Sequence, residues 1–136
     1  MRYLGLDLGT KTLGLALSDK SGTIASFYDN LKYSDEDKLL EILKDIIIKE
    51  NIELIVLGFP KNMNNTLGDR ANATLEFKEK LEKNLNIDVI LEDERLTTKV
   101  AEDILILGDI SRNKRKKVID GLSAVVILQA YLDKEK

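Results

Sequence analysis

The sequence predicts an α/β domain built on a mixed five-stranded sheet in the order βββαβαβαα, with helices on both faces. Three observations support this. Residues 2–31 alternate or run apolar in short stretches separated by polar turns, the pattern of a strand meander. Two further apolar runs, "IELIVLGF" and "IDVILED", each follow an amphipathic stretch of helical length. Near the end, "LSAVVILQAYL" is apolar almost all round, as a helix buried against a sheet would be.

The opening strands "YLGLDLG" and "LGLALSD" form a hairpin around the polar "TKT". "SGTIAS" supplies a turn and a third strand reaching Leu31. "SDEDKLLEILKDIIIKEN" is the first helix, with Ser34 as N-cap, Asp37 three residues on, and acids filling the first turn. Its apolar stripe is Leu39, Leu40, Leu43, Ile46 and Ile47. "IELIVLGFP" has the unbroken apolar character of a buried parallel strand, ending at Gly58 and Pro60.

A polar loop, "KNMNNTLGDR", leads to a second helix over 69–84, with Ala71, Leu75, the stem of Lys78 and Leu81 on one side. "IDVILED" is the fifth strand, and a third helix runs from Thr97 or Thr98 to Leu107, broken by Gly108. "DISRNKRKK" then connects to the final helix, which ends near Leu132. The segment 108–114, polar and bounded by Gly108, reads as a mobile loop that orders on substrate.

Length and composition narrow the chemistry. The 136 residues (15.3 kDa) suit one domain, 1–136, with 43% hydrophobic and 33% charged residues and no internal repeat. No apolar run approaches the ~18 residues of a membrane span, and the chain enters its first strand without a signal peptide, so a cytoplasmic location with no membrane partner is expected. The absence of cysteine excludes disulfides, thiol nucleophiles and Cys-ligated zinc. The absence of histidine removes the usual general base and the Ser-His triad. Acid–base or metal chemistry must therefore rest on Asp, Glu, Lys or Tyr.

Three acids sit where that chemistry would be built. Asp7 ends the first apolar strand, Glu94 follows the fifth beside Asp93, and Asp120 lies near the start of the final helix. Ligands of α/β sheets collect at the carboxyl ends of strands. Gly121, Ser123 and Ala124 are small enough to let the helix approach the sheet beside Asp120. Converging carboxylates repel unless a cation lies among them, and oxygen-only ligation suits Mg²⁺ or Mn²⁺. Two such ions about 4 Å apart activate water and stabilise a leaving phosphate oxygen. Each acid also has an ordinary reading: Asp7 as a turn cap or partner of Lys11, Glu94 paired with Arg95 or Lys99, Asp120 paired with Lys116.

At these residues the chain resembles a known family, the Holliday-junction-resolvase-like nucleases of bacteria (the YqgF family), which is associated with maturing the 5′ end of pre-16S ribosomal RNA. The matching segments are "LGLDLGTKTLGLALSD", "LIVLGFPKNMNNTLGDRA", "LEDERLTT" and "RKKVIDGLSAVVILQAYL", together nearly the whole chain. The resemblance implies a ribonuclease H-like fold and a two-metal acidic site at Asp7, Glu94 and Asp120, with Asp93 as an additional candidate ligand. Two departures bear on substrate affinity. The family commonly has Lys-Arg-Ile-Gly where this chain has Lys11-Thr12-Leu13-Gly14, and Asp-Gly where it has Asn64-Asn65.

Nucleic acid is the expected partner. With a net charge of −3, binding must come from a local basic patch. "SRNKRKK" places Arg112, Lys114, Arg115, Lys116 and Lys117 just before Asp120, while Lys11, Lys61, Arg70 and Arg95 lie in strand-end loops of the same side. Basic groups there would hold flanking phosphates while metals take the scissile one. The expected activity is metal-dependent hydrolysis of phosphodiester bonds in pre-16S rRNA, by a monomer or weak homodimer. Two alternatives stand beside it: a resolvase of branched DNA, and a non-catalytic nucleic-acid-binding or transcription-associated factor. A third reading, from the likeness of "DLGTKTLGLAL" to the phosphate loop of actin-like ATPases, needs two related domains where this chain supplies one.

Overall fold

The computed structural model describes residues 2–9, 11–59, 69–93 and 112–134. The elements are β1 (Arg2–Leu8), β2 (Thr12–Ser18), β3 (Ala25–Lys32), α1 (Glu36–Glu50), β4 (Ile52–Phe59), α2 (Asp69–Leu85), β5 (Asp88–Asp93) and α3 (Arg112–Lys134). They form one five-stranded sheet in the order β3-β2-β1-β4-β5. β1, β2 and β3 pair antiparallel, while β4 and β5 run parallel to β1, so the expected mixed sheet is present. The short hairpin fixes one neighbour of β1, and the helical crossover through α1 fixes the other as a parallel strand.

Strand alternation distributes the side chains between two cores. Leu4, Leu6 and Leu8 of β1, with Leu13, Leu15, Ile55, Leu57 and Val89, pack against Leu39, Leu43 and Ile46 of α1 and Phe77 and Leu81 of α2. The other face is thinner: Ala16 and Val56 meet Ala124, Ile127, Leu128 and Leu132 of α3. Each fully buried leucine contributes about 1.5–3 kcal/mol. The helices thus cover both faces as expected, and α3 packs on the face opposite α1 and α2.

Several local expectations are corrected. Asp35 rather than Ser34 caps α1: it is extended (φ −132°, ψ 116°) and its carboxylate accepts the Asp37 amide at 2.9 Å. Asp caps as well as Ser, so the sequence alone leaves the choice of neighbour open. The apolar stripe of α1 is as read, with Leu39, Leu40, Leu43 and Ile46 buried. In α2 the buried positions are Ala71, Thr74, Phe77 and Leu81, one step off the expected Leu75 and Lys78. The large ring of Phe77 sets the helix phase, and Lys78 instead pairs with Glu82 at 2.7 Å.

The final helix begins at Arg112, so the basic run is its first two turns rather than a connector. Arg and Lys are good helix formers and no Gly or Pro interrupts 112–120. Residues 112–114 of the expected mobile loop are therefore helical, and 108–111 lie outside the described residues. So does the expected helix over 97–107. Among the described residues, no helix is long and apolar enough to cross a membrane.

Candidate nucleic-acid active site

Asp7 is half-buried on β1, and its neighbours Leu6 and Leu8 point into the core under α1 and α2. Alternation therefore puts Asp7 on the α3 face, two residues beyond Gly5. A Cβ at Gly5 would stand 2.7 Å from Leu128 Cβ and 3.0 Å from the Ala124 carbonyl. The missing side chain is what lets α3 lie directly on β1. Below it, the rings of Tyr3 and Tyr131 meet edge to face with centroids 5.9 Å apart. Contacts thus climb β1 as they descend α3, from Tyr3 at Tyr131 to Gly5 at Leu128 and Ala124. One more step brings Asp7 level with the turn preceding Ala124, where the backbone of Asp120 and Gly121 runs.

Two further contacts seat α3. Gln129 holds the start of β3, accepting the Ala25 amide at 2.9 Å and donating to the Thr23 carbonyl at 3.0 Å. Lys134 forms an ion pair with Glu92, a buried carboxylate of β5. Removing one partner of such a pair strands the other, so the contact fixes the far end of the helix.

Asp7 pairs with Gly14 on β2, and the register Leu6–Leu57 sets it beside Gly58 on β4 in the next step. Both glycines are buried, and neither strand beside Asp7 places a side chain next to its carboxylate. The same row continues outward to Asn30, paired with Gly14, and to Glu92, paired with Gly58. Asn30 Oδ1 is buried and has no hydrogen-bond partner, an acceptor left at a cost of about 1–3 kcal/mol.

The turn after Asp7 is tied down by backbone bonds. The Gly9 amide donates to the Thr12 carbonyl at 2.8 Å, and a Cβ at Gly9 would come within 2.8 Å of Thr12 Oγ1. The Tyr33 hydroxyl donates to the Gly9 carbonyl at 3.1 Å, and the Tyr33 amide to the Lys11 carbonyl at 3.0 Å. Burial, helped by the nearby Glu36 carboxylate, raises the Tyr33 pKa, so the phenol stays a donor at neutral pH.

The other expected site residues fall as follows. Asp93 is the last residue of β5, registered with Phe59. Glu94, Lys61 and Arg95 lie outside the described residues. Arg70 is the second residue of α2, and Arg112, Lys114, Arg115, Lys116 and Lys117 open α3. Among the described residues, no three carboxylates converge. Sequence reading missed Glu92 and Asn30. The pairings that bring them into the Asp7 row, Gly58 with Glu92 and Gly14 with Asn30, join strands and leave no mark in the local sequence.

The whole chain has relatives. A family model described as RuvX, Holliday junction resolvase, matches residues 1–134. A Bacillus subtilis protein named as a candidate pre-16S rRNA nuclease is 54% identical over 98% of both chains. A similarly named Geobacillus protein is 51% identical over the full length of both. Among solved structures, Thermus thermophilus RuvC bound to a Holliday junction superposes with a TM-score of 0.60 at 14% identity, covering 98% of this chain and 96% of that one. The fowlpox virus Holliday junction resolvase gives 0.60 at 15% identity over all of both chains. These likenesses show the resolvase, ribonuclease H-like fold. On the family match and the full-length identities, the chain belongs to the RuvX Holliday junction resolvase family.

Proposed function

We propose that this protein is a metal-dependent nuclease that trims the 5′ end of pre-16S rRNA, with Asp7, Glu94 and Asp120 as its acidic site. The observation that supports it best is the placement of Asp7 between Gly14 and Gly58 on the sheet face covered by the helix that bears Asp120. Glycine on both sides keeps neighbouring side chains off the carboxylate, as a hydrated ion and a phosphate require. The full-length relatives named for pre-16S rRNA favour RNA as the polymer.

The donor set fits a hard divalent cation. The chain has no His or Cys, so oxygen atoms alone are available, and a buried carbonyl oxygen of Asn30 lies unpartnered in the same row as Asp7. Asp7, Glu94 and Asp120 would hold Mg²⁺ or Mn²⁺, which supplies an activated water and charge for the leaving oxygen. Parity separates the two candidates on β5. Val89 and Leu91 belong to the core under α1 and α2, and position 93 is in phase with them, which favours Glu94 over Asp93 as the ligand.

The chain's own groups do the rest. The Gly5 contact and the Glu92–Lys134 pair seat α3, the helix that carries Asp120, on the sheet. The basic first turns of α3 contain no acid, so helix dipole and side-chain charge attract the same anion. A phosphodiester backbone supplies it, and Lys11, Lys61, Arg70 and Arg95 extend the track.

The test compares Glu94→Gln, Asp120→Asn and Asp93→Asn for cleavage of a 5′-extended 16S precursor and for Mn²⁺ binding by calorimetry. Glu94→Gln and Asp120→Asn are expected to lose both, and Asp93→Asn to keep both. Loss confined to Asp93→Asn would overturn the assignment.

A further inference from the structure

The end of the sheet that carries Asp7 has a second polar feature. A groove of about 490 Å³ lies between the start of β2 and the end of β3, lined by Lys11, Thr12, Lys32, Tyr33 and Ser34. It presents two ammonium groups and three hydroxyl-bearing residues, and no carboxylate. Two other grooves on the described surface mix both signs of charge: Asp37 and Glu41 with Lys44 in one, Glu50 and Glu53 with Arg2 and Lys20 in the other. In a chain of net charge −3, a carboxylate-free groove with two lysines departs from the surface average.

Its lysines are available. Both are exposed, and neither pairs with a carboxylate among the described residues. The acids that follow Ser34 in the chain are already engaged: Asp35 accepts the Asp37 amide as helix cap, and Glu36 is held by Lys80. The groove is also part of the site's own framework. Thr12 registers with Lys32, while Gly14, two residues further along β2, registers with Asp7. Alternation therefore places Thr12 and Lys32 on the face of Asp7 and at the same end of the sheet. From strand spacing and rise, Lys32 and Asp7 are roughly 12 Å apart. Tyr33 bonds to both Gly9 and Lys11, which ties the groove to the residues that follow Asp7.

We propose that the Lys11–Lys32 groove binds a backbone phosphate of the polynucleotide next to the scissile one, on the side of the sheet opposite β5. This rests on the nuclease reading and adds to it a direction: the strand crosses Asp7 and leaves over β2 and β3. Lysine suits the task because a point charge without bidentate geometry holds phosphate without reading sequence.

The experiment measures binding of a short fluorescein-labelled single-stranded RNA, in Ca²⁺, across a KCl series. Lys32→Gln is expected to lower the slope of log affinity against log salt by about 0.7, the value for one lost single-strand phosphate contact. Lys32→Arg should restore the slope, and Lys49→Gln, on the outer surface of α1, should match wild type. An unchanged slope in Lys32→Gln overturns the groove while leaving the nuclease reading intact. The expected slope loss in Lys32→Gln, with a wild type that cleaves no RNA with Mn²⁺, upholds the groove and overturns the nuclease reading. Failure of the wild type to bind the RNA overturns both.

Discussion

Gly5→Ala is the most informative single-methyl change, because it perturbs the seat of α3 without touching an ionisable group. The new Cβ would lie 2.7 Å from Leu128 Cβ and 3.0 Å from the Ala124 carbonyl oxygen. Ordinary carbon contacts lie at about 3.5–4.0 Å, so the shortfall is about 1 Å. Neither obstructing atom rotates out of the way, since one is a Cβ and the other is backbone. The helix itself must retreat. Overpacking of this size costs about 1–3 kcal/mol, against which Gly→Ala recovers roughly 0.4–1 kcal/mol from the unfolded chain. A net loss of about 1–2 kcal/mol corresponds to a Tm lower by roughly 3–10 °C for a domain of this size.

The functional effect should be larger than the stability effect. A helix displaced by about 1 Å moves Asp120 relative to Asp7, and misplacement on that scale costs about 100-fold in rate. Circular dichroism melts give the first number. Cleavage of a 5′-extended 16S precursor with Mn²⁺, well below the Tm of the variant, gives the second. An unchanged Tm would refute close seating of α3 on β1. A lowered Tm with full cleavage would refute the idea that this helix positions a site residue.

Two further outcomes follow from charge. Lys134→Ala should destabilise more than Glu92→Gln in urea titrations, by about 1–2 kcal/mol, because only the first leaves a buried carboxylate without its partner; equal effects would contradict the pairing. Asp19 accepts Ser21 Oγ at 2.6 Å and the amides of Thr23 and Ile24 at 2.8 and 3.1 Å, which lowers its pKa from 3.8 to about 2. A lowered folded-state pKa gives stability that is present above about 3.8 and lost as pH falls toward 2. Asp19→Asn should therefore flatten the stability profile across that window, and an unaltered profile would rule out this turn as its source.

Much of this architecture is legible in the residues because burial writes a period into them. The alternation Leu4, Leu6, Leu8 and the stripe Leu39, Leu40, Leu43, Ile46 name their elements and faces directly. Where the pattern is ambiguous, reading fails by one step. In α2, Leu75 and Phe77 are both apolar, and only packing against the sheet decides that the ring goes inside. The basic run at 112–117 opposes the helix dipole and so reads as a connector, yet it is helical from Arg112.

The site shows the same division. Asp7 is conspicuous as a carboxylate in an apolar strand. Its glycine flanks depend on Gly14 and Gly58 becoming neighbours of Asp7, and for Gly58 that is a matter of register with a strand far away in sequence. Glu92 and Lys32 were missed for that reason. Each is an ordinary charged residue until its pairing partner is known.

The central claim is that Asp7 is a metal-dependent catalytic carboxylate acting on RNA. The direct measurement is cleavage by wild type and Asp7→Asn of a 5′-extended 16S precursor and of a four-way DNA junction, each with and without Mn²⁺. The account predicts cleavage of the precursor by wild type only with Mn²⁺, and none by Asp7→Asn, which still folds and binds. Undiminished Mn²⁺-dependent cleavage by Asp7→Asn would contradict it.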